Sequence, residues 1–103
     1  MARRKKKGEK PGIRVGLHAL QRLNDRLPEI PPGEGRVKFF EERIQEAIDY
    51  DGFLSRVPAG FEQSGKQDRL YVYDVEYDCL IVVATDKLPR YYEAISLYVA
   101  DRT

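Results

Sequence analysis

One stretch, residues 69–85, constrains the fold more than any other part of the chain. Residues 69–75 alternate between apolar and polar side chains and are rich in tyrosine and valine, which is typical of a strand with one solvent-facing side. Residues 79–85 are almost continuously apolar, which predicts a strand covered on both faces. The short polar stretch 76–78 fits a hairpin loop of three to five residues. The sequence therefore predicts an antiparallel hairpin that the other elements extend or cover.

Two helices are predicted before this hairpin. Apolar residues at spacings of three and four predict an amphipathic helix over residues 14–27, which Pro28 ends. Its buried stripe comprises Leu17, Leu20, Leu23 and Leu27. A stiff connection over residues 29–35 follows, and a second helix is predicted from residue 37 or 38 to residue 50, ended by Gly52.

Two further strands complete the predicted sheet. Residues 53–57 alternate between Gly52 and Pro58 and predict a short edge strand. Residues 91–99 alternate again, after a predicted turn at 86–89. This alternation predicts one side formed by Ile95, Leu97 and Val99 and another formed by Tyr92, Ala94, Ser96 and Tyr98. The expected fold is a two-layer α+β domain, with two N-terminal helices packed on one face of an antiparallel sheet of about four strands and a ligand site on the open face.

Composition narrows the class of protein. A chain of 103 residues with 42% hydrophobic and 34% charged residues fits one globular domain. One cysteine, Cys79, and one histidine, His18, exclude an internal disulfide, a cysteine zinc cage and a histidine cluster, so we expect no metal or other cofactor. No apolar run approaches the roughly 20 residues of a membrane span. We expect a cytoplasmic protein without a membrane partner.

Charge is distributed unevenly along the chain. Residues 1–10 contain six basic residues and one acidic residue, a net charge of +5, so a total of +1 leaves about −4 for the rest. We expect residues 1–12 to form a disordered basic tail and residues 13–103 a single domain. Such a tail can bind phosphates by counterion release, or it can simply keep the protein soluble. Because the body is acidic, nucleic acid would have to bind at one focused place.

The first helix carries the main candidate site. His18, Arg22 and Arg26 are spaced by four residues and share one helix face. Histidine is the side chain best suited to acid–base chemistry at neutral pH, and two arginines can hold a phosphate and stabilise developing negative charge. Two alternatives stay open: His18 is a surface or capping residue, or the arginines are solvated or paired with Asp25 and the acids of the second helix.

Tyrosines and arginines on and beside the strands form a second candidate surface. Tyr71 and Tyr73 share one predicted strand face, and Tyr92 and Tyr98 share another. Tyrosines on a sheet can stack on the bases of single-stranded RNA, although half-buried packing is the alternative. Substrate contacts are therefore predicted for Arg56, Arg69, Tyr71, Tyr73 and Tyr98, together with Arg26.

A family resemblance rests on these motifs. Residues 18–26 contain a histidine, a small residue and two arginines, and they resemble the opening helix of RelE-like domains in the barnase, EndoU, colicin and RelE ribonuclease superfamily. The order of elements is similar, and residues 94–98 are similar to the closing strand of that group. The resemblance spans residues 13–100. It implies that His18 and Arg22 lie near the scissile phosphate and that Ser96 is the polar position of the last strand.

The resemblance implies a metal-independent, toxin-like endoribonuclease. Such an enzyme cleaves single-stranded RNA or ribosome-associated mRNA by attack of the ribose 2′-hydroxyl, and an antitoxin or another protein can be its partner. The alternative is a catalytically inactive RelE-like fold that serves as a small protein-binding or inhibitor module. The acidic body and the seven tyrosines favour that alternative, because aromatic residues anchor protein interfaces.

Overall fold

The computed structural model describes residues 11–61, 69–86 and 90–100, and it confirms the α+β class. Two helices pack on a four-stranded mixed sheet with the strand order β1-β4-β3-β2. The elements are β1 (Gly12–Val15), α1 (Leu17–Arg26), α2 (Glu34–Tyr50), β2 (Leu70–Asp74), β3 (Cys79–Thr85) and β4 (Tyr91–Val99). No helix in the described ranges is both long enough and apolar enough to span a membrane.

The predicted hairpin is confirmed. β2 and β3 pair antiparallel, from Leu70 opposite Val83 to Asp74 opposite Cys79. β3 also pairs with β4 on its other side, and its first five residues are buried. The continuous apolar run therefore marks a central strand, as its composition predicted.

A short parallel strand replaces the predicted start of the first helix. Gly12–Val15 forms β1 and pairs parallel with the first residues of β4, so the sheet is mixed and not wholly antiparallel, and Gly12 belongs to the domain. The backbone N–H of Gly16 then donates to the carbonyl of Ala94 at 2.9 Å. A Cβ at Gly16 would lie 3.0 Å from that carbonyl oxygen, so a glycine allows the chain to leave the sheet and begin α1 so close to β4.

The two helices cover one face of the sheet. α2 begins at Glu34, earlier than predicted, and ends where Asp51 adopts a left-handed conformation with φ 53°. Arg36 fixes the connection between the helices, because it donates to the carbonyl of Ile30 at 2.9 Å and to Oδ1 of Asn24 at 2.6 Å. Buried residues on this face, which we call the helix-side core, include Leu23, Phe40, Ile44, Ile81, Val83, Ala94 and Leu97.

The opposite face is partly covered and not open. The predicted strand over residues 53–57 is wrong: only Leu54 pairs with β2, in one isolated bridge to Tyr71. Val57 and Phe61 then pack on a second buried cluster, formed by Tyr71, Leu80 and Val82. The predicted turn at 86–89 and the predicted tail at 1–12 fall largely outside the described residues, which omit 87–89 and 1–10.

A β-bulge in β4 changes which side chains share a face. Val82 pairs with Ser96, but Val83 pairs with Ala94, so Ile95 is an extra residue. Beyond the bulge Leu97 packs in the helix-side core, whereas Ile95 and Tyr98 pack on the second cluster. The predicted single alternation from 91 to 99 is therefore wrong, and Tyr92 and Tyr98 lie on opposite faces.

Candidate functional site

The residues predicted on the first helix form what we call the α1 strip: His18, Arg22 and Arg26. His18 is exposed near the start of α1, and the two arginines are half-buried further along the same helix. Nε of Arg22 donates a hydrogen bond to Nε2 of His18 at 3.2 Å. This contact joins the two side chains one helical turn apart on the same face.

Arg26 connects the strip to the outer edge of β4. Its Nη1 lies 3.5 Å from the carbonyl oxygen of Leu97, and its Cζ lies 5.9 Å from the centre of the Tyr98 ring. β1 pairs only with residues 91–94, so within the described chain no strand pairs with this edge of β4 beyond Ala94. Arg26 therefore reaches past the sheet edge to the face on which Tyr98 lies.

The arginines of the strip have no acidic partners in the described ranges. The ion pairs there involve Arg43 and Arg90, and none involves Arg22 or Arg26. The alternative that these two arginines pair with Asp25 or with the acids of α2 is therefore not observed. Their charges are available to an anion, and guanidinium groups bind phosphate through charge-assisted hydrogen bonds.

Glu93 is a candidate that the sequence did not reveal. Its Oε2 lies only 3.2 Å from the position that a Cβ on Gly16 would occupy, so its carboxylate sits at the N-terminus of α1. A carboxylate is favoured there by the unpaired N–H groups and the dipole of the helix. Gly16 precedes His18 by two positions, although no hydrogen bond joins Glu93 to His18 among the described residues. The parallel pairing of β1 with β4 brings Glu93 close to Gly16, and no local sequence motif predicts this contact.

Ser96 lies on a different face from the one its predicted role requires. It is half-buried and pairs with Val82, whose side chain belongs to the second cluster, so it faces away from the helices. It shares that face with Tyr98, but in the described structure no hydrogen bond joins it to His18 or Arg22. Contacts in the described structure join His18 to Arg22 and Arg26 to Tyr98, and none joins Ser96 to any of these residues.

The remaining predicted substrate residues do not converge on the α1 strip. Tyr71 is 3% exposed and is a core residue, so its ring offers no surface for stacking. Tyr73 is 41% exposed, and its hydroxyl donates to Oδ1 of Asp78 at 2.6 Å. Arg69 is half-buried just before β2, two strands away from β4, and Arg56 is exposed on the segment that crosses the second face.

Other groups in the described structure offer little chemistry. A cleft of about 500 Å³ lies beside the hairpin, and its walls include Leu54, Pro58 and Phe61. Burial raises the pKa of the Cys79 thiol to about 12, so this cysteine is no nucleophile at neutral pH. No group of three or more histidine, cysteine or acidic side chains that could hold a metal ion is found in the described ranges.

Comparison with known proteins gave no matching family model, no matching curated protein and no matching solved structure. The resemblance to RelE-like domains therefore stays a prediction.

Proposed function

We propose that this protein is a metal-independent endoribonuclease that cleaves single-stranded RNA at the α1 strip. One observation carries the proposal: an exposed histidine shares a helix face with two arginines that have no carboxylate partner in the described chain. A base beside unpaired cations is the arrangement that transesterification of RNA needs, because the reaction removes one proton and concentrates charge on a phosphate. Such an enzyme would act in the cytoplasm on mRNA, free or ribosome-associated, and an antitoxin-like protein could cover the strip.

Binding of the substrate would prepare the base. The 3.2 Å bond from Arg22 occupies the Nε2 lone pair of His18. An RNA phosphate is a stronger acceptor for a guanidinium than a neutral imidazole is, so it would draw Arg22 away and free Nε2. Activation of the base would then depend on the phosphate being in place.

Cleavage would follow by internal transesterification. The proton of the ribose 2′-hydroxyl passes to Nε2 of His18, the bond from O2′ to phosphorus forms, and the bond from phosphorus to O5′ breaks. The leaving 5′ oxygen takes a proton from solvent. The products are a 2′,3′-cyclic phosphate and a 5′-hydroxyl end, while Arg22 and Arg26 hold the phosphate oxygens.

The proposal is tested by incubating the protein with a labelled single-stranded RNA in EDTA. His18→Ala should lower the cleavage rate by about 10²- to 10⁴-fold, the contribution typical of an acid–base group. Gln21→Ala, an exposed change on the same helix outside the strip, is the matched control and should keep the wild-type rate. Glu93→Gln tests whether the neighbouring carboxylate contributes. Absence of cleavage by the wild type, or equal rates for the wild type and His18→Ala, would contradict the proposal.

A second candidate function is a catalytically inactive RelE-like domain that binds a protein. Two observations favour it: Arg22 engages Nε2 of His18, and the cleft beside the hairpin, whose walls include Leu54 and Phe61, could accept a side chain of a partner. The same assay separates the two functions, because a binding module cleaves no RNA and an oligonucleotide does not raise its melting temperature.

A further inference from the structure

We infer that the N-terminal end of β4, where Arg14 lies over the ring of Tyr91, is a second RNA-binding site outside the cleavage centre. We call these two residues the Arg14–Tyr91 pair. The site would stack one base and contact one phosphate of the bound strand. Its ligand class depends on the proposed function, whereas its location depends only on the geometry described below.

The Arg14–Tyr91 pair is already arranged for stacking. Cζ of Arg14 lies 4.2 Å from the centre of the Tyr91 ring, Arg14 is exposed, and no carboxylate of the described chain lies within ion-pair distance of it. The hydroxyl of Thr85 donates to the carbonyl of Tyr91 at 2.6 Å and holds the backbone. Bases of single-stranded RNA stack on guanidinium planes and on aromatic rings, and an ordered platform reduces the entropy lost on binding.

The pair lies on the same side of the sheet as Tyr98. Tyr92 packs in the helix-side core, so its neighbour Tyr91 faces the opposite way, toward the side on which Tyr98 packs. Seven positions of strand separate the two tyrosines, roughly 20 Å at about 3.3 Å per residue. Each tyrosine has its own arginine, Arg14 at one end and Arg26 at the other. An extended strand of RNA could contact both ends, with the α1 strip along the edge between them.

The sequence just before this end of the sheet is strongly positive. Residues 1–10 carry a net charge of +5 and lead directly into β1. The N–H of Gly12 donates to the carbonyl of Arg90 at 2.9 Å, and Gly12 is the register partner of Tyr91. The described chain therefore begins next to the Arg14–Tyr91 pair, and the net charge of +5 precedes that point in the sequence.

The site can be tested with RNA that cannot be cleaved. A fluorescent single-stranded 12-mer with 2′-O-methyl riboses lacks the attacking hydroxyl, so fluorescence anisotropy reports binding alone. Tyr91→Leu should weaken binding by about 5- to 100-fold, the range of one stacked base, and Tyr91→Phe should restore it. Arg14→Ala should weaken binding several-fold and reduce the slope of log affinity against log salt by about 0.7, the value of one phosphate on a single strand.

The controls are a basic residue and a tyrosine that are exposed on α2, away from β4. Lys38→Ala and Tyr50→Ala should bind within about twofold of the wild type, since surface changes far from a site have small effects. Melting temperatures of all variants establish that each is folded.

The outcomes separate this inference from the proposed function. Affinities of Arg14→Ala and Tyr91→Leu equal to the wild type would overturn the second site, even if the protein cleaves RNA. Binding that Tyr91→Leu weakens, in a protein that cleaves nothing, would support the site and contradict the catalytic proposal. If poly-glutamate bound with the same dependence on Tyr91, the surface would recognise negative charge and not bases, and the inference would be wrong.

Discussion

Arg43 and the α1 strip show two different uses of arginine in one small domain. Nε of Arg43 lies 2.5 Å from Oδ1 of Asp74, and its Nη2 lies 3.0 Å from Oε1 of Glu76. The guanidinium also lies over the ring of Phe39, at 4.8 Å. Arg22 and Arg26 have no carboxylate within ion-pair distance in the described structure. Arg43 is therefore committed to the fold, whereas the charge of the α1 strip is available to a ligand.

Asp74 explains why the Arg43 site is structural. Its side chain is 5% exposed, and its second oxygen accepts the N–H of Tyr77 at 2.8 Å, so one carboxylate closes the hairpin loop and ties α2 to β2. Burial works to lower the pKa of Arg43, but the hydrogen bond and charge of Asp74 outweigh it, and the pKa is raised. The ion pair therefore stabilises the charged form of Arg43 in a partly buried place.

The largest expected effect is the loss of this pair. Asp74→Asn should lower the free energy of unfolding by about 2–4 kcal/mol, somewhat less than for a fully buried pair because Arg43 keeps some access to water. Urea denaturation measures this. Glu76→Gln is the matched control and should cost less than about 1 kcal/mol, because Glu76 is exposed. Equal losses for the two variants would show that burial does not distinguish these contacts.

An effect of intermediate size is expected from ionisation of Cys79, the register partner of Asp74, on the stability of the protein at high pH. Burial, aided by the charge of Asp74, raises the pKa of its thiol from 9.0 to about 12, while Arg43 lowers it. The unfolded chain therefore releases this proton above about pH 9, whereas the folded protein retains it. Stability should consequently fall as pH rises from 9 toward 12, by at most about 1.4 kcal/mol per pH unit for this one group.

Urea titrations at pH 8, 9 and 10 test the effect of Cys79. Cys79→Val is the matched variant, since it keeps an apolar side chain of similar size but cannot ionise. The wild type should lose stability more steeply than Cys79→Val above pH 9, with the tyrosines contributing equally to both proteins. Parallel curves for the two proteins would refute the raised pKa.

The smallest expected effect on stability is that of substitutions in the α1 strip. Arg22→Ala should change the free energy of unfolding by less than about 0.5 kcal/mol, as is usual for surface substitutions. Arg26→Ala should cost up to about 1 kcal/mol, because its side chain also contacts the Leu97 carbonyl and the Tyr98 ring. Thermal unfolding of both variants measures this. A loss for Arg22→Ala as large as that for Asp74→Asn would mean that the strip also holds the fold.

Local pattern was enough to predict the hairpin and the helices, but not the two ends of the sheet. Burial on both faces explains the apolar run of β3, and the first five residues of this strand are buried in the structure. β1 was missed because Ile13 and Val15 also fit the apolar spacing of the helix that follows, and only pairing with a distant strand distinguishes the two. The segment at 53–57 alternates like a strand, yet it pairs with β2 at Leu54 alone.

The candidate site was predictable where it lies on one element. The spacing of four along α1 fixed the shared face of His18, Arg22 and Arg26, and the structure keeps it. Ser96 could not be placed, because the bulge at Ile95 reverses the alternation and no residue type in β4 signals it. The position of Glu93 could not be predicted for a different reason. Its carboxylate lies beside the start of α1 because two segments that are far apart in the sequence are in contact.

The parallel pairing of β1 has a consequence for the order of folding. β2 and β3 can find each other across a four-residue turn, whereas β1 has to close a loop of about 80 residues to reach β4, at a larger entropic cost. The pairing of only four residues of β1 offsets this entropic cost. We therefore expect β1 to dock last during folding and to detach first in the native protein, which would make the amides of Gly12 and Gly16 the earliest of the sheet hydrogen bonds to exchange. If RNA binds the Arg14–Tyr91 pair, it would slow that detachment, because the bound strand would contact both β1 and β4.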